Sequence, residues 1–101
     1  MSYIKGRMFE YKVKKLLEKK GYFVVRSAGS HFPDLVALKK GEIFLVECKR
    51  HDRIKKEEIK ALIDLAEKVG GIPILAYKNG NKTLLVKLPF KENGEEELFF
   101  D

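Results

Sequence analysis

Asp34, Glu47 and Lys49 are the side chains whose types and spacing could support hydrolytic chemistry. Glu47 and Lys49 are separated by one residue at the end of the apolar run 43–48, and Asp34 opens the apolar run 35–38. Carboxylates are the oxygen ligands that Mg²⁺ prefers, and a nearby lysine can orient a water or stabilise a charged phosphorus centre. The set therefore indicates metal-assisted hydrolysis of a phosphodiester.

The alternation of a β-strand would bring these groups together. Successive side chains of a strand point to opposite faces, which divides the run into one face with Ile43, Leu45, Glu47 and Lys49 and another with Phe44, Val46 and Cys48. A tight turn at Lys40-Gly41 would place the strand that follows Asp34 beside this one. We expect both carboxylates and the lysine to converge at one edge of a sheet.

An ordinary structural explanation remains open for the same residues. Charged side chains are common at strand ends, where they reach water, and a Glu-x-Lys pair occurs by chance in many proteins. The full spacing favours the site: Asp34, twelve intervening residues, and then Glu47-x-Lys49, with both halves attached to strongly apolar runs.

Glu10 is the odd residue of a predicted first helix over 3–20. Phe9, Val13, Leu16 and Leu17 form its apolar stripe, and Glu10 lies on the same inward face. An acid here could serve the helix dipole. Alternatively, it could point to the same sheet edge as the other acids and act as a third carboxylate.

The charge distribution favours a polyanionic partner. The net charge is +6, but five of the fifteen acidic residues lie in the last ten positions. The first 91 residues carry 21 basic and 10 acidic residues, a net charge of +11. Nucleic acid fits this excess better than a membrane does, because no basic helix carries an exposed apolar face.

Composition excludes several other classes. A chain of 101 residues predicts one domain, residues 1–101, that can bury a single core. The single cysteine, Cys48, precludes an internal disulfide and is best interpreted as a small buried apolar residue. Two distant histidines cannot complete a Cys/His zinc site. No signal peptide or membrane span is evident, and we expect a cytoplasmic, nucleoid-associated protein.

The remaining patterns predict an α/β fold with helices packed on a mixed central β-sheet. Gly21, Gly70-Gly71 and Asn79-Gly80 supply turn and helix-end signals, and Pro89 is expected to end the last strand. The predicted elements, in the order αβββαββ, are a helix at 3–20, strands at 23–26, 33–38 and 43–49, a helix at 55–69, and strands at 72–78 and 83–87.

Basic residues near the predicted site are candidates for contacts with phosphates. Arg26 ends its strand beside the small polar loop that contains Ser30, where it could bind a phosphate or form a surface ion pair. The other candidates lie near Glu10 in the first helix or follow Lys49: Lys5, Arg7, Arg50, Arg53, Lys55 and Lys56.

Taken together, these motifs resemble the PD-(D/E)-x-K nuclease superfamily and, more narrowly, the archaeal Holliday junction resolvases. The similarity covers roughly residues 5–78. It is carried by Lys5-Gly6, the helix with Glu10, 16–19, Gly21, 24–30, 34–37, Glu47-x-Lys49 and 70–73. Tyr11 stands where members of that family often have a basic residue.

The resemblance implies a restriction-endonuclease-like core and a homodimer that recognises four-way DNA junctions by shape. It also implies symmetric nicking of two opposing strands with Mg²⁺ or Mn²⁺. By position, Glu10, Asp34 and Glu47 would hold the metal and Lys49 would assist the water. Ser30 would act from its loop, and Arg26 and Lys5 would contact the DNA backbone.

Two other functions remain compatible with the sequence. A nuclease on the same scaffold could cut flaps or damaged DNA instead of four-way junctions. A DNA-binding module that does not cut would use the carboxylates only structurally, and its behaviour would not change with EDTA. A protein-interaction domain would leave the basic body of the chain unexplained and predicts partners that are insensitive to salt.

Overall fold

The computed structural model describes residues 2–28, 32–51, 53–91 and 94–100. Two helices and six strands lie in these ranges. In chain order they are α1 (Ser2–Lys19), β1 (Phe23–Arg26), β2 (Leu35–Lys39), β3 (Glu42–Lys49), α2 (Lys56–Val69), β4 (Ile72–Asn79), β5 (Lys82–Lys91) and β6 (Gly94–Phe100).

The strands form one mixed sheet whose spatial order follows the chain, from β1 to β6. The pair β3–β4 is parallel, and the other neighbours are antiparallel. Parallel neighbours require a crossover connection, which α2 supplies. The predicted α/β fold with a mixed central sheet is confirmed.

Helix α1 covers one face of the sheet. Its predicted apolar stripe is buried at Phe9, Val13 and Leu17, which pack in one cluster with inward residues of the strands such as Leu35 and Val46. This packing fixes the rotation of α1 about its axis and therefore the direction in which its other side chains point.

Helix α2 covers the opposite face, where Leu62 and Ala66 pack with Leu45 and other strand residues. Neighbouring residues of β3 thus belong to different clusters, which confirms the predicted alternation. Gly70 ends α2 with φ 72°, a left-handed conformation that glycine adopts at little cost. The length and rotation of α2 determine which of its side chains lie above the end of β3.

The sheet extends further than the sequence predicted. Strand β5 continues through Pro89 to Lys91, so the prediction that Pro89 ends the strand is wrong. The pairing of β5 with β6 shifts register between Lys87 and Lys91. A proline is tolerated at such an irregularity because the ladder needs no donor there. The tail, for which no strand was predicted, forms β6 at Gly94–Phe100.

Part of the face that carries α2 is open. Phe23, Val25 and Leu38, on the paired strands β1 and β2, are 69%, 45% and 37% exposed. We call these three residues the β1–β2 patch. Of the helices described, neither is long and apolar enough to cross a membrane.

Candidate active site

Asp34 and Glu47 meet because of the register of the hairpin that joins β2 and β3. Leu35 pairs with Val46, so the residues just beyond that pair face each other. The backbone N–H of Asp34 donates to Oε1 of Glu47 at 2.9 Å, and the N–H of Cys48 donates to Oδ2 of Asp34 at 2.8 Å. Each carboxylate is therefore fixed by a backbone donor of the neighbouring strand.

Both carboxylates are costly to ionise where they stand. Glu47 is only 6% exposed. Burial, followed by the charge of Asp34, raises the pKa of Glu47 to about 7. Burial also raises the pKa of Asp34, although the hydrogen bond from Cys48 and the charge of Lys49 oppose the change. Two neighbouring like charges, one buried and one partly buried, are stabilised by a cation placed between them.

Glu10 approaches Asp34 from the side of α1. It is the ninth residue of the helix, so the explanation that it serves the helix dipole near the N-terminus is wrong. Burial, and then the charge of Asp34, raises the pKa of Glu10, while Arg26 opposes the change. Nε of Arg26 donates to Oε1 of Glu10 at 3.0 Å, and the guanidinium lies 5.2 Å from the centre of the Tyr11 ring.

Arg26 thus forms the ion pair that the sequence left open, but its partner is a candidate site residue rather than a remote surface acid. The side chains of Arg26 and Glu10 are 25% and 21% exposed. One guanidinium consequently links the end of β1 to α1 beside Asp34. Whether Arg26 also binds a phosphate stays a prediction.

Lys49 is bound by an acid that the sequence analysis did not single out. Nζ of Lys49 donates to Oε2 of Glu58 at 2.8 Å, and the backbone N–H of Lys55 donates to Oε1 of Glu58 at 3.2 Å. The signal that could have found Glu58 is its place in the first turn of α2, three residues after Lys55, where an acid often accepts a backbone N–H.

The electrostatics keep Lys49 cationic. Burial lowers the pKa of Lys49, but the hydrogen bond and charge of Glu58, with the charges of Glu47 and Asp34, raise it overall. The pKa of Glu58 is lowered in spite of burial, because Lys49 and the Lys55 N–H stabilise its carboxylate. Lys49 therefore supplies a fixed ammonium group rather than a neutral amine.

The donor set at Asp34 and Glu47 fits a hard divalent cation. In the part of the chain that the structure describes, the second oxygen of each carboxylate accepts no hydrogen bond, and oxygen is the ligand that Mg²⁺ prefers. No group of three His, Cys, Asp or Glu side chains within the described ranges is arranged to hold a metal ion. Two of the three predicted ligands are brought together, and the role of Glu10 as a ligand stays a prediction.

Four basic residues follow β3 in the chain. Arg50, Arg53, Lys55 and Lys56 are all exposed. Three of the four line one of two clefts. One, of about 600 Å³, is lined by Lys49, Glu58, His51, Arg53 and Lys55 among others. The other, of about 410 Å³, is lined by Met8, Phe9, Lys12, Arg50 and Lys78. Lys78 was not among the predicted DNA contacts.

Three further residues were predicted to take part in the site: Ser30, Lys5 and Arg7. Ser30 lies outside the residues that the structure describes, and the side chain of Lys5 is not among those described. Arg7 is exposed on α1, and its charge lowers the pKa of Glu10 after larger effects of burial, Asp34 and Arg26.

Comparison with known proteins shows the family to which this chain belongs. A family model described as archaeal Holliday junction resolvase (hjc) matches residues 1–100. The crossover junction endodeoxyribonuclease Hjc of Methanocaldococcus jannaschii is 46% identical over 92 residues, which cover 87% of this chain and 68% of that protein. The enzymes of the same name from Sulfolobus acidocaldarius and Sulfurisphaera tokodaii are 33% and 32% identical; each match covers 73% of this chain and 59% of the relative.

A solved structure has the same fold. Hjc from Archaeoglobus fulgidus, a Holliday junction resolvase from an archaeal hyperthermophile, superposes with a TM-score of 0.71 at 22% sequence identity. The match covers 93% of this chain and 83% of that one. The predicted class of enzyme, a crossover junction endodeoxyribonuclease, is confirmed by the relatives. The chain belongs to the archaeal Holliday junction resolvase family.

Proposed function

We propose that this protein is a homodimeric, Mg²⁺-dependent endonuclease that resolves four-way DNA junctions by two symmetric nicks. The observation that carries the proposal is the pairing of Asp34 with Glu47 at the edge of the sheet, with the ammonium of Lys49 on the same strand as Glu47. Keeping both carboxylates ionised at this position costs free energy, and that cost falls when a cation binds between them.

Asp34 and Glu47 would hold the metal, with Glu10 as a third acid from α1. Mg²⁺ is the expected ion, and Mn²⁺ is expected to substitute for it because both accept octahedral oxygen ligands. When bound, such an ion supplies positive charge at the scissile phosphate and lowers the pKa of a coordinated water. The backbone N–H of Asp34 holds the Glu47 carboxylate, and the backbone N–H of Cys48 holds the Asp34 carboxylate, so both groups are already oriented.

Lys49 would act as a hydrogen-bond donor and a positive charge. An ammonium that Glu58 keeps protonated can orient a water through its N–H groups or stabilise the charge that develops on the phosphate oxygens. It cannot accept a proton in that state. The proton of the attacking water would therefore pass to another acceptor, such as a second water or a phosphate oxygen.

The exposed cations around the two clefts would bind the DNA backbone. Arg53 and Lys55 line the same cleft as Lys49, Arg50 lines the other cleft, and neither these side chains nor that of Lys56 is buried. Contacts to phosphates give affinity and position without reading base sequence. Selection of a branched substrate by its shape follows from the spacing of such contacts. Arg7, Arg26, Lys5 and Ser30 complete the proposed set.

The homodimer is supported by dimensions and by apolar exposure. The chain measures 34 × 30 × 25 Å, and one copy contributes one Asp34–Glu47 pair, so one copy would not reach two opposed strands of a junction at once. A two-fold dimer presents two sites to a two-fold substrate. The β1–β2 patch is the apolar surface that we assign to the second copy, because it continues the core face beside α2 without cover.

The remaining parts of the proposal follow from the same assignment. A nuclease acting in recombination and repair would work on chromosomal DNA, which places it in the cytoplasm with the nucleoid. The whole chain, residues 1–101, would serve as a single nuclease domain, because α1, β2, β3 and the start of α2 all contribute to one site.

Cleavage of a four-way junction with a fixed branch point tests the proposal. The substrate is compared with linear duplexes made from its own arms, each incubated with Mg²⁺ or with EDTA. We expect paired nicks in opposing strands of the junction, none in the duplexes, and no cleavage in EDTA. Equal cutting of flaps or linear DNA would favour a broader nuclease, and binding without cleavage in Mg²⁺ would favour a non-cutting module.

A further inference from the structure

Glu58, in the first turn of α2, links that helix to the end of β3. Its Oε2 accepts from Nζ of Lys49 at 2.8 Å, and its Oε1 accepts from the backbone N–H of Lys55 at 3.2 Å. Both oxygens of one carboxylate are thus engaged. The side chains of Lys49 and Glu58 are 27% and 29% exposed, so water screens the pair only in part.

Lys49 has a second anionic partner within its reach. Glu47 precedes it by two residues on the same face of β3, a rise of about 6.6 Å, and Asp34 stands beside Glu47. A lysine stem is long and flexible enough to fold back over that distance. The charges of Glu47 and Asp34 both favour the charged form of Lys49, so the attraction toward them is present.

We propose that Glu58 is a positioning residue that holds the Lys49 ammonium away from Asp34 and Glu47, which leaves these carboxylates open to a divalent cation. This inference rests on the proposed function, since it assumes that Asp34 and Glu47 bind the metal. Without Glu58, the ammonium turns toward the two acids. It then occupies the carboxylate oxygens that the ion needs and cancels part of their charge.

The position in which Glu58 holds the Lys49 ammonium also suits contact with a phosphate of the substrate. Lys49 is held at the rim of the cleft that His51, Arg53 and Lys55 line. An ammonium fixed there meets a phosphate that enters the cleft, while the metal site stays separate. The anchoring of Glu58 by the Lys55 N–H matters because a carboxylate fixed by a backbone group keeps its place when Lys49 makes contact with DNA.

Metal binding by the DNA-free protein provides the test. The probe is Mn²⁺, whose free concentration is followed by electron paramagnetic resonance, so no cleavage is needed. We expect Glu58→Gln to raise the Mn²⁺ dissociation constant about tenfold, the size of effect seen when the partners of metal-site residues are removed. Gln keeps an oxygen for the Lys55 N–H, so the start of α2 is preserved. Glu57→Gln, the exposed neighbour in the same turn, is the control and should bind as the unmodified protein does.

A double-substitution cycle separates positioning from a general effect of charge. In a Lys49→Met background no ammonium can fold back, so Glu58→Gln should leave the Mn²⁺ dissociation constant unchanged within twofold. A tenfold loss in both backgrounds would mean that Glu58 acts only by its negative charge, which overturns the inference. Unchanged Mn²⁺ affinity in the single Glu58→Gln variant overturns it as well.

A further arm distinguishes failure of this inference from failure of the proposed function. Asp34→Asn should weaken Mn²⁺ binding more than Glu58→Gln does, since it removes a ligand. If Asp34→Asn binds Mn²⁺ normally, or the unmodified protein does not bind Mn²⁺, the metal site itself is misassigned and both proposals fall. If only the Glu58 variant behaves normally, the metal site stands and the positioning role of Glu58 is refuted.

Discussion

The backbone N–H of Asp34 lies 2.9 Å from Oε1 of Glu47, across two neighbouring strands. The contact fixes a carboxylate that is 6% exposed next to a second acid. Because burial and the charge of Asp34 raise the pKa of Glu47 to about 7, the fold bears an electrostatic cost at neutral pH.

That cost predicts how stability depends on pH in the absence of metal. Below the ordinary pKa of 4.5, Glu47 is protonated in the folded and unfolded states alike. Between pH 4.5 and about 7 the folded state keeps a proton that the unfolded state releases, so the free energy of unfolding falls as pH rises. Above about pH 7 the folded state no longer gains stability from the proton on Glu47.

We therefore expect Glu47→Gln to stabilise the protein in EDTA at pH 8 by about 1 to 2 kcal/mol, which raises Tm by about 5 °C or more. At pH 4 the substitution should change Tm little. The measurement is thermal unfolding followed by circular dichroism at both pH values. Glu67→Gln, at an exposed position of α2, is the control. A lower Tm for Glu47→Gln at pH 8 contradicts the account.

Asp34→Asn separates binding from cleavage. Oδ1 of the asparagine still accepts a hydrogen bond from the Cys48 N–H, so the strands keep their register. The substitution removes a negative charge from the proposed metal site. We expect junction affinity to remain within about twofold, while the nicking rate falls at least about 100-fold. Gel-shift titration in Ca²⁺ and single-turnover cleavage in Mg²⁺ measure the two quantities. Retained cleavage would remove Asp34 from the mechanism.

Lys49→Ala should lose rate without losing metal. Removal of the ammonium takes away charge stabilisation at the phosphate, for which we expect a loss of about 100-fold in single-turnover rate. Mn²⁺ affinity should be unchanged or higher, because a positive charge near Asp34 and Glu47 has gone. A rate within a few-fold of the unmodified protein would argue against a role for Lys49 in the chemistry.

The core of the site was predictable because it depends on local rules. The alternation of β3 and the tight turn before it are short-range features, and together they place Asp34 opposite Glu47. The stripe of α1 likewise predicted which face is buried and that Glu10 points inward. Each of these inferences needs only the period of one element or the length of one turn.

The partner of Lys49 was not predictable by those rules. Glu58 reaches Lys49 because α2 crosses over the sheet and begins above the end of β3, a matter of tertiary packing. Charge alone does not distinguish Glu58 from its neighbour Glu57 in the sequence. The pairing of Arg26 with Glu10 required the relative placement of α1 and β1 in the same way.

The extra strand was missed for a different reason. Residues 95–97 are three consecutive glutamates, which have low intrinsic preference for strands. Pairing with β5 nevertheless places them in β6, since an edge strand gains its hydrogen bonds from its neighbour. Tertiary context thus outweighed propensity at the edge of the sheet.

Arg50→Ala tests the proposed DNA surface. Arg50 is exposed and lines a cleft beside α1. If it contacts one phosphate, its removal should weaken binding to all junction sequences alike and reduce the slope of log K against log salt by about 1. Lys68→Ala, which removes a similar charge from the far end of α2, is the control. Equal losses in the two variants would indicate only a general effect of net charge.

Phe23→Glu tests the proposed dimer surface. Phe23 belongs to the β1–β2 patch and is 69% exposed, and it pairs with Leu38 on the neighbouring strand. In a two-fold contact, the new carboxylate would be buried against the same carboxylate of the second copy or against apolar side chains. Because an unpaired buried charge is unfavourable, we expect the dimer to dissociate at micromolar concentration. Sedimentation velocity measures the state, and Tm should change little because the residue is exposed within one copy.

Met8→Glu provides the matched control for the sedimentation experiment. Met8 is 66% exposed, but it lies on α1, which covers the opposite face of the sheet. It should leave the dimer intact. Loss of the dimer in Phe23→Glu should also convert paired nicks in a junction into independent single nicks, because two sites no longer arrive together. A Phe23→Glu protein that remains dimeric and still nicks in pairs would place the subunit contact elsewhere.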